Sequence, residues 1–105
     1  MFFMSAINSL VKTIKYRFDH DSAKQILKQK YEAKMLFAKD GGMWKAGPDL
    51  IILLSTMSNE SLVIVDTYGN PCRVNRSELL IETKQRWQEQ MNAWEHEFAE
   101  MQRER

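Results

Sequence analysis

The chain is poor in cysteine, glycine and proline. Its 105 residues include one Cys, four Gly and two Pro. A single cysteine excludes an intramolecular disulfide and any multi-cysteine zinc or iron–sulfur centre. So little Gly and Pro excludes collagen-like and low-complexity classes. No charge of one sign dominates, since the net charge is +1, and no global field draws in a polyanion. No apolar run reaches about 18 residues, so no membrane-spanning helix is expected. The apolar start Met1-Phe2-Phe3-Met4 is followed, not preceded, by basic residues. That is the reverse of a secretory signal, and Met4-Ser5-Ala6 also reads as a start. With the lone Cys72, these features point to a cytoplasmic protein.

What remains is one domain's worth of globular sequence, 44% apolar, 28% charged and 10% aromatic. Its charge is unevenly spread. Residues 1–39 hold eight basic and three acidic residues, residues 40–76 three and four, and residues 77–105 four and seven. A basic front and an acidic tail can pair within one chain or between two.

Hydrophobic spacing divides the chain. Ile7, Leu10, Val11, Ile14 and Phe18 form one helical stripe, predicting a basic amphipathic helix over residues 1–20. Asp19-His20-Asp21-Ser22 breaks the pattern and offers caps for a second helix over 22–35. That helix carries Ala23, Ile26, Leu27, Tyr31 and Met35 on one side and opens a single domain, 21–105. Residues 35–46 read as a hairpin turning at Asp40-Gly41-Gly42. Pro48 suits a first helical position, and Leu50–Met57 is apolar almost all round, predicting a buried helix. Leu62–Tyr68 reads as a strand, Gly69-Asn70 as a two-residue turn and Pro71–Val74 as the returning strand. Asn75 and Glu78 are spaced for a capping box, with Val74 and Leu79 placed as a hydrophobic staple. A long helix, 75–102, follows. The fold expected is α+β: two N-terminal helices, then a small antiparallel sheet of two hairpins with a buried helix between them. A long C-terminal amphipathic helix completes it.

That last helix carries Leu80, Trp87, Met91, Trp94, Phe98 and Met101 at spacings of 7, 4, 3, 4 and 3. This is the a/d repeat of a coiled-coil-like contact, interrupted only by Lys84. At about 1.5 Å per residue the helix spans ~40 Å, longer than a compact domain of this size. Its seam is expected to fold back on the N-terminal helices or to bind another chain.

No catalytic, cofactor-binding or metal-binding set stands out. His20, between two aspartates, reads as a ligand, a tuned base or a solvated cap residue. His96 lies between Glu95 and Glu97 in poor metal-ligand company. Cys72 reads as a small buried hydrophobe, since nothing near it in sequence argues for an activated thiol. Asp66 reads as a binding carboxylate or a strand-end turn residue. Trp87 and Trp94 suit a core or interface, or stacking on a base or sugar. Lys12, Lys15, Arg17, Lys24 and Lys28 could meet nucleic-acid phosphates, lie on an anionic membrane surface, or simply keep two helices wet.

Three segments, Met43-Trp44-Lys45-Ala46-Gly47-Pro48-Asp49-Leu50, Val65-Asp66-Thr67-Tyr68-Gly69-Asn70-Pro71 and Val74-Asn75-Arg76-Ser77-Glu78-Leu79-Leu80, precede the tryptophan-bearing helix. Together they resemble small structural, assembly or unassigned proteins of contractile-tailed (myovirus-type) bacteriophages, over roughly residues 35–100. The resemblance implies a virus-encoded, non-enzymatic protein of the host cytoplasm or the virion, and it carries no functional residues across. The expected role is a protein–protein interaction or assembly module, oligomeric or part of a complex. Its contact elements are the helix 7–18 stripe and the C-terminal seam, and its partner is itself or another protein. A nucleic-acid-binding accessory protein is the alternative. The third reading, an enzyme, needs a polar pocket that the sequence does not announce, and a membrane surface ranks below nucleic acid as a partner of the basic helices.

Overall fold

The computed structural model describes residues 2–104; the side chains of residues 2–6, Tyr16 and Phe18 are outside that description. The element order is α1 (Phe2–Lys34), β1 (Leu36–Lys39), β2 (Gly42–Lys45), α2 (Pro48–Thr56), β3 (Ser61–Val65), β4 (Pro71–Asn75) and α3 (Arg76–Arg103). The α+β class stands. The molecule is a rod, 74 × 26 × 20 Å, with a radius of gyration of 20.9 Å. A compact chain of this length would have one near ~13 Å.

The elongation comes from α1. The expected break at residues 19–22 is absent, and one 33-residue helix replaces the two short ones. The boundary placed at residue 20 therefore falls inside a continuous helix. No Gly or Pro interrupts residues 2–34, and Asp, His and Ser inside a helix each cost only a few tenths of a kcal/mol, up to ~0.7. What changes at 19–22 is the phase of the apolar stripe, and a change of phase alters which surface a helix faces without ending it.

The first hairpin turns on Asp40 and Gly41, whose φ angles are +52° and +78°. Two successive positive φ values make the hairpin-favouring turn whose twist matches the strands. Register runs from Leu36↔Lys45 to Lys39↔Gly42, so Gly42 belongs to β2. A Cβ there would sit 2.9 Å from Cζ2 of Trp44 and 3.0 Å from Sγ of Cys72, so the close approach requires glycine.

The second hairpin departs from expectation. Pairing stops at Val65↔Pro71, and residues 66–70 form a five-residue loop instead of a two-residue turn. Asp66 is the reason. Its Oδ1 accepts from the backbone N–H of Tyr68 at 3.0 Å and of Asn70 at 2.9 Å. An aspartate that bonds its own downstream backbone offers the chain an alternative to continuing the ladder. Oδ2 accepts from the N–H of Met43 at 3.0 Å, and the N–H of Thr67 donates to the Met43 carbonyl at 2.9 Å. The two hairpins are thus separate two-stranded sheets, stitched together at Met43 rather than merged into one.

The start of α3 behaves largely as its sequence suggests. The Asn75 side chain accepts from the N–H of Glu78 at 3.0 Å, and Val74 and Leu79 are both buried. The reciprocal half of the capping box is supplied from elsewhere, because the Asn75 N–H donates to Oδ2 of Asp40 at 3.3 Å. Arg76 ties this start to the end of α2. Its guanidinium donates to the Leu54 carbonyl at 3.2 Å and to Glu60 at 2.7 Å. Hydrogen bonds from Ser77 and then Arg76 hold the Glu60 carboxyl below its ordinary range.

The core gathers Met35, Phe37, Trp44, Ala46, Leu54, Leu62, Val74 and Leu79. Contrary to the sequence reading, α2 is not buried all round. Leu54 alone among its residues is fully buried, while Ile52 is 60% exposed and Leu53 41%. The reason is the absence of a second layer: one face of α2 packs on α3, and no described element covers the other.

Thr83 of α3 is fully buried, and its hydroxyl has no hydrogen-bond partner among the described residues. An unpaired buried hydroxyl costs about 1–3 kcal/mol. Thr83→Val, which keeps the shape and removes the polar atom, should raise stability by ~1 kcal/mol. A higher urea midpoint at unchanged slope is the expected reading.

Candidate functional site: an apolar groove and an uncovered helical arm

Helices α1 and α3 pack antiparallel. Along the chain, Lys30, Tyr31, Phe37 and Lys39 meet Glu97, Trp94, Arg86 and Glu82 in turn. The Tyr31 and Trp94 rings stack at 6.0 Å with 4° between planes. Glu97 accepts from Lys30 at 2.6 Å and from the Tyr31 hydroxyl. Lys30 and then Tyr31 hold the Glu97 carboxyl below its ordinary range, and the same carboxylate raises both partners.

This packing decides the fate of the seam. Leu80, Trp87 and Met91 rest against the core of their own chain, and Trp94 lies on Tyr31. Met101 is half-buried, and Phe98 is exposed at 38%. The proximal seam is therefore engaged intramolecularly but not closed over.

Above it lies a groove of about 500 Å³, bounded by α2, the first hairpin, the β3 end and α3. Trp44, Leu50, Leu53, Trp87, Met91 and Trp94 give it an apolar floor. A smaller depression of about 190 Å³ shares Met91 and Trp94 and extends the apolar track to Phe98. The charged residues lining the two are Glu32, Asp49, Asp66 and Glu95 against Lys45 alone. The groove is thus apolar at its base and acidic at its rim. Sequence reasoning found its α3 wall by periodicity but missed Leu53, because an all-apolar helix gives no sign of which face stays open.

The second feature is the N-terminal half of α1. Counting back from the Lys30–Glu97 pair at ~1.5 Å per residue, α3 ends opposite about residue 24. Beyond that point His20 is buried, whereas Leu10, Val11 and Ile14 are 58–60% exposed and Ile7 38%. Phe18, the last residue of the predicted stripe, has its side chain outside the described residues. The stripe is also rotated by roughly 130° from Leu27 and Tyr31, at about 100° per residue. A longer α3 following the same course would not cover it. Lys12, Lys15, Arg17, Lys24 and Lys28 are all exposed along the same helix, with Lys28 3.9 Å from Glu32.

The remaining candidates do not converge. His20, buried in the middle of α1, is not the solvated cap its sequence position suggested. His96 is exposed, 3.9 Å from Glu100. Cys72 is half-buried, with its Sγ 3.5 Å from the Asn70 carbonyl. Asp66 is a turn residue whose oxygens are occupied by backbone donors. Among the described residues no group of three His, Cys, Asp or Glu side chains could hold a metal ion, and no helix is long and apolar enough to cross a membrane. No protein-family model, curated protein or solved structure matches the chain.

Proposed function

We propose that this protein is a non-enzymatic interaction and assembly module that self-associates through preformed apolar surfaces. One observation carries the reading: three large apolar side chains, Leu10, Val11 and Ile14, stand exposed in one stripe on a rigid helical extension. Burying such a side chain contributes about 1.5–3 kcal/mol, and a stripe of them signals a partner surface. The open tryptophan-floored groove in the same chain supports it. The resemblance to contractile-tailed phage proteins suggests a virion component or assembly factor, acting in the host cytoplasm or the virion.

Light scattering behind size exclusion tests this. The expected result is a mass of at least two chains that persists at high salt, because apolar burial is not screened. A single-chain mass at every concentration and salt overturns it. The exposed Lys12, Lys15, Arg17, Lys24 and Lys28 favour nucleic-acid binding as the second reading. Its signature is a high ultraviolet ratio for co-purified nucleic acid, with retention that falls steeply as salt rises.

A further inference from the structure

Resting on that reading, we infer that the occupant of the acidic-rimmed groove is the basic amphipathic arm, residues 7–18, of a second copy of this chain. Three observations converge on this pairing. The first is charge. The arm carries Lys12, Lys15 and Arg17, with no acidic residue in the first 18 positions. The exposed charges lining the groove are Asp49, Glu95 and Glu32, the last also 3.9 Å from Lys28, against Lys45 alone; Asp66 is buried and bound to backbone N–H groups. Complementary charge of this kind sets orientation and suppresses wrong partners.

The second is shape. An exposed stripe at positions 7, 10, 11 and 14 is the i, i+3, i+4, i+7 pattern by which a helix lays its apolar face into a groove. The track from Leu53 past Met91 and Trp94 to Phe98 is the open apolar surface available to it.

The third is reach. The arm belongs to the same unbroken helix as Glu32, which lines the groove. Val11 and Glu32 are therefore roughly 30 Å apart at ~1.5 Å per residue. A continuous helix cannot fold back on itself, so a chain's own arm is held away from its own groove. Only a second copy brings the two surfaces together. The contact joins unlike surfaces, so each chain offers one donor arm and one acceptor groove.

Mixing two variants of the full-length chain tests the pairing. Leu10→Glu/Ile14→Glu spoils the arm, and Leu53→Glu spoils the groove; all three positions are exposed, and circular dichroism checks that both variants fold. Each alone should lose association and run at single-chain mass. Mixed in equal amounts, they should form a two-chain species, because one supplies an intact groove and the other an intact arm. A mixture that stays at single-chain mass overturns the inference. So does undiminished self-association of either variant, which would mean that arms pair with arms or grooves with grooves. In those outcomes the unaltered chain still associates, and the assembly reading survives. A single-chain mass for the unaltered chain defeats both.

Discussion

Trp44→Ala should cost about 3–5 kcal/mol, the range for truncating a buried aromatic. A domain of this size holds ~5–15 kcal/mol in all, so the variant should lose a large share of its stability. The indole is 2% exposed and packs among Met35, Phe37, Leu54 and Leu79 in the core. Its Nε1–H donates to the Lys39 carbonyl at 2.7 Å, bracing the Asp40–Gly41 turn from beneath. Gly42 presses so close to the ring that the surrounding backbone is shaped to it. Trp44→Phe separates these contributions. It keeps most of the apolar burial and removes the hydrogen bond, and should cost about 1–2 kcal/mol. Equilibrium denaturation of the two variants checks both figures. Equal costs would mean that the indole N–H, and not the ring, dominates.

Asp66→Asn should lower the Tm by roughly 10 °C at neutral pH, since three backbone donors lose a charged acceptor at once. The N–H groups of Met43, Asn70 and Tyr68 hold this carboxyl below its ordinary range, against the effect of burial, which raises it. The sign of the pH dependence follows. A carboxyl depressed in the folded state stabilises above its unfolded pKa, near ~3.9. That contribution disappears as pH falls through the lower, folded value. The difference in Tm between the unaltered chain and Asp66→Asn should therefore be full at neutral pH and shrink in strong acid. Glu60 and Glu97 are depressed as well, but they are common to both proteins and cancel in the comparison. A difference independent of pH would mean that the amide loses packing or geometry and not charge.

The parts of the fold that could be read from sequence are those with local causes. The Asp40–Gly41 turn, Pro48 at the head of α2, and the Asn75 cap with its Val74–Leu79 staple each depend on residues within five positions. What was not legible depends on partners distant in the chain. The stripe 7–18 and the stripe ending at Tyr31 lie on one helix but face different surfaces, and their change of phase imitates a break. Asp66 ends β3 early partly because Met43, 23 residues away, needs an acceptor. The open face of α2 is set by the absence of a neighbour, which no local pattern encodes. The candidate site was half visible for the same reason: the seam and the arm have periodicity, whereas the groove exists only once α2, the first hairpin and α3 meet.

The unbroken α1 has a mechanical consequence. A helix does not stretch, so were copies joined arm to groove as proposed, the roughly 30 Å between a chain's exposed stripe and its own groove would be a fixed spacing. Joined end to end, successive copies would be measured off like marks on a ruler. The same rigidity gives each joint a fixed angle, because the stripe's bearing around the helix is set by residue count, about 100° for every position. The stretch of α1 from Val11 to Glu32 would then help set both the spacing and the relative rotation of successive copies.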